Sequence, residues 1–199
     1  MEVNGVTLHL IEVGPAHTDG DCIVHPSFIQ DHIEQQEKGR YLAGRRIELG
    51  ESISRTLSRA RLLKGVLKPF SVDFVKSVIF GDTEHWNRSL RWKSPLLRKW
   101  LKMNRIDDLK GCNFSISRED LFAINGFDES YEGYGREDTD VEIRLQHLGL
   151  KIKSLKGLAL QYHVWHPRRG FTPQNEDLLN DVKTSGRVKA KIGLTEKTS

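Results

Sequence analysis

The chain has 199 residues, 37% hydrophobic and 8% aromatic, enough for one real core and too little for two full enzymatic domains. Lys and Arg number 31 against 27 Asp and Glu, and the formal net charge of +4 favours anionic partners such as nucleotide phosphates, acidic lipid headgroups or nucleic acid without choosing among them. No charged n-region followed by an apolar h-region opens the chain, and no run of about 18 apolar residues occurs, so neither a cleaved signal peptide nor a spanning helix is expected. Cys22 and Cys112 lie far apart without metal-ligand spacing, so no disulfide framework or zinc motif is read from them, and the setting reads as reducing and cytoplasmic.

Val6 to Val13 is β-rich and bounded by Gly5 and Gly14, which predicts a strand broken at Gly14-Pro15. After that break come Asp19, Gly20 and Asp21, two carboxylates in otherwise apolar surroundings, where ionised acids are costly to bury without a cation. Being two apart, Asp19 and Asp21 share one side of an extended chain and can bridge to a divalent ion; an Asx-type turn is the structural alternative. A helix is predicted from Pro26 through Phe28, Ile29 and Ile33 to Gly39, then a strand from Tyr41 to Leu49, then an Arg-rich amphipathic helix over Ile53, Leu57 and Ala60 to about Lys64.

Residues 70 to 105 predict helices and a loop. Trp86, Trp92 and Trp100 are interleaved there with Arg88, Arg91, Lys93, Arg98, Lys99 and Lys102, a pattern able to stack bases and hold phosphates. Leu96, Leu97, Trp100 and Leu101 also share one helical face, suited to an anionic membrane or to covering the core. Core cover ranks first among these, membrane contact second and nucleic acid last.

Cys112 to Ile116 predicts a short strand, and Ser117 with Asp120 a capping box before a brief helix of Leu121, Phe122 and Ile124 stopped by Gly126. Asp128 opens a spacing like that of a calcium loop, but Thr139 stands at the twelfth position, where a bidentate Glu is required. A second helix is predicted from Glu137, with Val141, Leu145 and Leu148 facing inward and Gly149 as its stop. Acids at its start, Glu137, Asp138 and Asp140, suit the helix dipole, yet capping leaves unexplained Gly133 and Gly135 around Tyr134, a loop that would bring a ring and a carboxylate to a substrate. An ionised Asp138 there could act as a general base. Ile152 to Leu155 and Leu158 to Val164 predict strands, ending near His163, Trp165 and His166, where metal binding competes with a plain strand end. From Asn175 the chain is polar and helical. Alternating strands and helices give an α/β domain.

Two stretches together, Asp19 to Pro26 and Gly111 through Asn125, Gly126, Phe127 and Gly133 to Asp138, resemble inverting family 2 glycosyltransferases of the GT-A fold and the related galactosyltransferase family 7 C-terminal region. The resemblance covers roughly residues 18–170 and implies a partial GT-A (nucleotide-diphospho-sugar transferase) fold, a mixed sheet with flanking helices. Residues 1–17 stand outside it as an atypical segment and 171–199 as a polar helical tail. The nucleotide-binding half that normally precedes the acidic motif is missing, so the expectation is a truncated enzyme. By resemblance, Asp21 ligates Mn2+ or Mg2+ on a nucleotide diphosphate, with Asp19 near the ribose or the metal, and His166 with His163 supplies the later metal ligand. Asp138 becomes the catalytic base, and Glu137, Tyr134, Arg136 and Asn113 the substrate-binding set. Arg136 departs from relatives that carry a small residue there, and Glu132 from those that carry an aromatic. The implied activity is transfer of a sugar, with inversion, from a nucleotide-sugar donor to a saccharide or lipid-linked acceptor in surface polysaccharide assembly. It would take place in the cytoplasm or at the inner face of the membrane. The alternative is a non-catalytic basic domain binding a membrane surface or nucleic acid through residues 85–102.

Overall fold

A computed structural model describes residues 19–167, 170 and 172–195, together with the backbone of three two-residue strands, Glu2–Val3 (β1), Val6–Thr7 (β2) and Ala16–His17 (β3). Of the strand expected over Val6 to Val13, only Val6–Thr7 is described, and the rest lies outside the described residues. The remaining strands are Cys22–Val24 (β4), Arg40–Ala43 (β5), Ile47–Glu48 (β6), Phe114–Ser115 (β7), Lys151–Ser154 (β8) and Gln161–His163 (β9). Helices occupy Phe28–Glu34 (α1), Glu51–Arg55 (α2), Arg59–Leu63 (α3), Val72–Ile79 (α4), Pro95–Trp100 (α5), Arg118–Ala123 (α6), Glu137–His147 (α7) and Gln174–Ser185 (α8), with a 3-10 turn at Trp86–Ser89.

Two mixed sheets result. One has the order β3-β7-β5-β8, with β5 antiparallel to β7 and parallel to β8. The other has the order β4-β9-β6, with β9 antiparallel to β4 and parallel to β6. Helices flank both, the α/β class that the alternating patterns predict, and the arrangement is compatible with a partial glycosyltransferase fold. Tyr41, Phe114, Ile116, Ile124, Val141 and Leu145 fill the core between the first sheet and the α6–α7 side. Ile47, Leu49, Ile53, Phe74 and Tyr162 fill a second core beneath the other sheet, and Phe28 of α1 packs on Leu42, Leu155 and Ala159. Each such side chain contributes roughly 1.5–3 kcal/mol when fully removed from water.

The strand expected from Tyr41 to Leu49 is instead two strands in different sheets. Asn113 causes the break: Gly44 N–H donates to its carbonyl (2.8 Å), and its buried side-chain amide donates to the carbonyls of Arg45 (3.0 Å) and Ala159 (2.9 Å). A Cβ on Gly44 would overlap the Asn113 amide, so the close approach requires glycine here. The single helix expected from Ile53 to Lys64 is likewise two, because Thr56 Oγ1 donates to the Ile53 carbonyl (2.9 Å) and Ser58 Oγ accepts from Arg61 N–H (3.3 Å), ending one helix and starting the next. Ser117 caps α6 as its spacing predicts, accepting from Asp120 N–H at 3.0 Å. Along α7, Val141 and Leu145 are fully buried, but Leu148 is 37% exposed and lies outside the inner face expected for it. The other buried positions of the helix hold Asp140, Glu142 and Arg144.

Candidate functional site

The register of the second sheet builds the first half of the site. Cys22 on β4 and Glu48 on β6 both pair with His163 on β9, so the residue before β4, Asp21, arrives beside the histidine. Val164 N–H donates to the Asp21 carbonyl (2.9 Å) and holds the two chains together there. His163 Nε2 lies 3.4 Å and His166 Nε2 3.2 Å from Asp21 Oδ2, and the two rings stand 5.1 Å apart between centroids. One ligand atom from each of Asp21, His163 and His166 falls within 4.8 Å of the others, a three-donor group able to hold a divalent ion.

Glu48 orients this group. Its Oε2 lies 3.0 Å from His163 Nδ1, leaving Nε2 turned toward Asp21, the carboxylate–histidine pairing that fixes the ring of a metal ligand. Burial would raise the Glu48 pKa, but His163 and Arg46 outweigh it and bring it down to about 2. The same contact with Glu48 raises the His163 pKa against the opposing effect of burial. Nothing in the sequence marked Glu48 or Arg46, because the register that brings them to His163 joins segments more than 100 residues apart.

The second half is the start of α7. Asp138 Oδ2 accepts from Gly111 N–H (2.9 Å) and its Oδ1 from Thr139 N–H (2.7 Å), so two backbone donors orient the carboxylate. A Cβ on Gly111 would stand 3.2 Å from the Asp138 Cβ, a tight contact that any larger residue here would have to relieve by a shift of a few tenths of an ångström. Arg136, directly before the helix, adopts φ +82°, a left-handed conformation that costs a non-glycine residue energy and suits the small residue the resemblance leads one to expect. Its Nε donates to Glu176 Oε2 of α8 (2.7 Å). Tyr134 is exposed, and its N–H and C=O are held by Thr172 Oγ1 (3.1 Å) and Thr172 N–H (3.0 Å).

Asp19, Tyr134, Arg136, Glu137 and Asp138 line one cleft of about 700 Å³, together with Arg46, Lys110, Gly111 and Cys112. The early acidic turn and the helix start therefore face each other, with the Asp21–His163–His166 group beginning two residues from Asp19. Asp21, His163 and His166 are not among the residues lining the cleft. Asp19 itself sits with Cys22 and Cys112 rather than with the histidines. Asn113, expected in the substrate-binding set, is fully buried, with its side-chain amide donating to two carbonyls and its oxygen 3.2 Å from His32 Nε2, and it is not among the residues lining the cleft.

The basic aromatic stretch behaves differently from ordinary core cover. Arg91 pairs with buried Asp31, Arg88 donates to the Arg46 carbonyl (3.0 Å), and buried Arg98 donates to the carbonyls of Ser154 (2.9 Å) and Lys156 (3.1 Å). Leu96 and Trp100 are instead 81% and 77% exposed.

A family model described as the N-terminal domain of galactosyltransferase matches residues 95–167. Beta-1,4-galactosyltransferase 4 from Homo sapiens, and its counterparts from Rattus norvegicus and Cricetulus griseus, are each 30% identical to this chain over 82 residues, 41% of this chain and 24% of theirs. The chain thus spans about a quarter of the length of these curated relatives. The segment matched by the family model contains Gly111, Tyr134 to Asp138, His163 and His166, whereas Asp19 and Asp21 precede it. These comparisons support a galactosyltransferase-related domain in the chain, carried by residues 95–167.

Proposed function

We propose that this chain is an inverting glycosyltransferase that moves a sugar from a nucleotide-sugar donor to a saccharide or lipid-linked acceptor. The observation that carries this reading is the cleft in which Asp19 and Asp138 face each other beside the Asp21–His163–His166 group. In it, Asp138 takes the proton of the acceptor hydroxyl as that oxygen attacks the anomeric carbon, and the nucleoside diphosphate departs on the far side. Gly111 and Thr139 N–H keep the carboxylate aimed while this happens. Glu137 and Arg136 hold hydroxyls of donor or acceptor, and Tyr134 stacks on a sugar face.

Asp21, His163 and His166 fit a divalent ion by their donor set and by the orientation Glu48 imposes on His163. When bound, Mn2+ or Mg2+ there would neutralise charge on the leaving diphosphate. Asp19 stands toward the ribose side of the same group. In domain terms, residues 18–170 form the transferase portion, 1–17 an atypical segment and 171–199 a helical tail, with action in the cytoplasm. The deciding experiment is equilibrium binding of a nucleoside diphosphate with and without Mn2+. Binding that requires the metal and is abolished by Asp21→Ala supports the reading; metal-independent binding unaffected by that substitution sinks it.

A second reading rests on α5. Leu96 and Trp100 project outward beside exposed Lys93, Lys99 and Lys102, while the arginines of the stretch bond inward. This favours contact with an anionic membrane face over nucleic acid. Sedimentation with phosphatidylserine vesicles, lost in Leu96→Ser/Trp100→Ser, would establish it.

A further inference from the structure

The two cysteines, far apart in the chain, meet beside the acidic turn. Cys22 N–H donates to the Asp19 carbonyl (3.1 Å), closing a turn that brings the side chains of residues 19 and 22 together. Cys112 follows Gly111 into the same place and is 1% exposed. One ligand atom each from Asp19, Cys22 and Cys112 lies within 4.8 Å of the others. Arg46 Nη1 stands 3.6 Å from the Cys112 sulfur.

We propose that Asp19, Cys22 and Cys112 form a second cation site, distinct from the Asp21–His163–His166 group and selective for a thiophilic divalent ion such as Zn2+ or Cd2+. Two sulfurs and one carboxylate oxygen are a soft donor set, which favours such ions over Mg2+ or Mn2+. The histidine group beside it has no sulfur donor, so the two sites sort cations by ligand chemistry. Binding forms two metal–sulfur bonds and one metal–oxygen bond, and the thiol protons leave to solvent. The ion offsets two of the three negative charges of the bound ligands, and the Arg46 guanidinium, which also pairs with Glu48 (2.6 Å), stands beside the Cys112 sulfur. Asp19, Arg46 and Cys112 line the cleft, so the remaining coordination position opens toward the ligand space. Three protein donors with one open position is the arrangement of zinc sites that accept an outside ligand. An ion here would occupy Asp19 and one wall of the cleft. The site does not depend on the sugar-transfer reading, since its donors are set by the packing of β4 against the Gly111–Cys112 segment.

The test is a titration of the full chain, its thiols kept reduced by a phosphine, with Cd2+ alone. A thiolate-to-cadmium charge-transfer band that saturates at one ion per chain is the expected result. Cys22→Ser and Cys112→Ser should each remove the band, Asp19→Asn should weaken Cd2+ binding by about tenfold, and His166→Ala should leave the band in place. No band at stoichiometric Cd2+, a band that survives either serine variant, or one lost in His166→Ala would overturn the proposal. Because Cys112 is a buried packing position, the unaltered chain supplies a second measurement, alkylation of its thiols by iodoacetamide read by mass spectrometry. Cd2+ should protect Cys22, the more exposed of the two, and equal labelling of Cys22 with and without the ion would overturn the proposal as well.

Discussion

Arg144 is fully buried on α7, where its Nε donates to Asp140 Oδ2 (2.7 Å) and its Nη1 to the carbonyls of Ile124 (2.6 Å) and Gly126 (2.8 Å). Removing the guanidinium alone would leave the buried Asp140 carboxylate without its countercharge, holding only the Tyr131 hydroxyl (3.3 Å), and would take the Arg144 donor from the Ile124 and Gly126 carbonyls. Arg144→Met should therefore cost about 3–5 kcal/mol, and Asp140→Leu/Arg144→Met distinctly less, in urea unfolding. His32, also buried, lies 2.8 Å from Ser115 Oγ through Nδ1, and burial lowers its pKa to about 4. The folded chain then binds fewer protons than the unfolded chain between about pH 6.5 and pH 4, so stability must fall as pH drops through that window. We expect a loss of about 2–3 kcal/mol between pH 7 and pH 4, flattened in His32→Gln. At the site, Asp138→Asn should cut the proposed transfer rate by about 100- to 10,000-fold while metal-dependent nucleotide binding changes little. Of these residues only Asp138 and Asp140 were marked in the sequence, by their place at a helix start. Arg144 and His32 were not marked there, since the Gly126 carbonyl that Arg144 reaches lies 18 positions away and the Ser115 hydroxyl beside His32 lies 83.

At the scale of elements, capping and periodicity located α1, α6 and α7 because their causes act within a few residues of one another. The same local cues failed over Tyr41 to Leu49, where β-propensity continues through Gly44 but Asn113, from the other end of the domain, bends the chain out of one sheet into the other. Gly44→Ala would force the Asn113 amide aside and should destabilise the chain by about 1–3 kcal/mol, measured as a lowered urea midpoint. The start of α7 shows the reverse case. Its acids were legible as a helix N-terminus, but the Gly111 amide that orients Asp138 becomes a partner only when the two segments pack.

For the whole molecule, Asp128 ties the last described segment to the domain. It is 4% exposed and accepts from Arg187 Nη1 (2.8 Å) and from the N–H groups of Lys191 (2.7 Å) and Ser130 (3.1 Å), contacts that hold its pKa well below the usual carboxylate range despite burial. Asp128→Ala should accelerate hydrogen exchange of residues 187–195 at least about tenfold without a comparable change in β5 or β8, as expected of local rather than global opening. The order of residues along the chain was sufficient for the α/β class, the acidic turn, the helix that begins at Glu137 and the two late histidines, because glycine geometry, caps and hydrophobic period act over short distances. Long-range strand register was needed to put Asp21 with His163 and His166, to add Glu48 and Arg46, and to seat Asp19 against both cysteines. Pairing across a sheet is set by burial summed over the whole core, and no short window of sequence contains that sum.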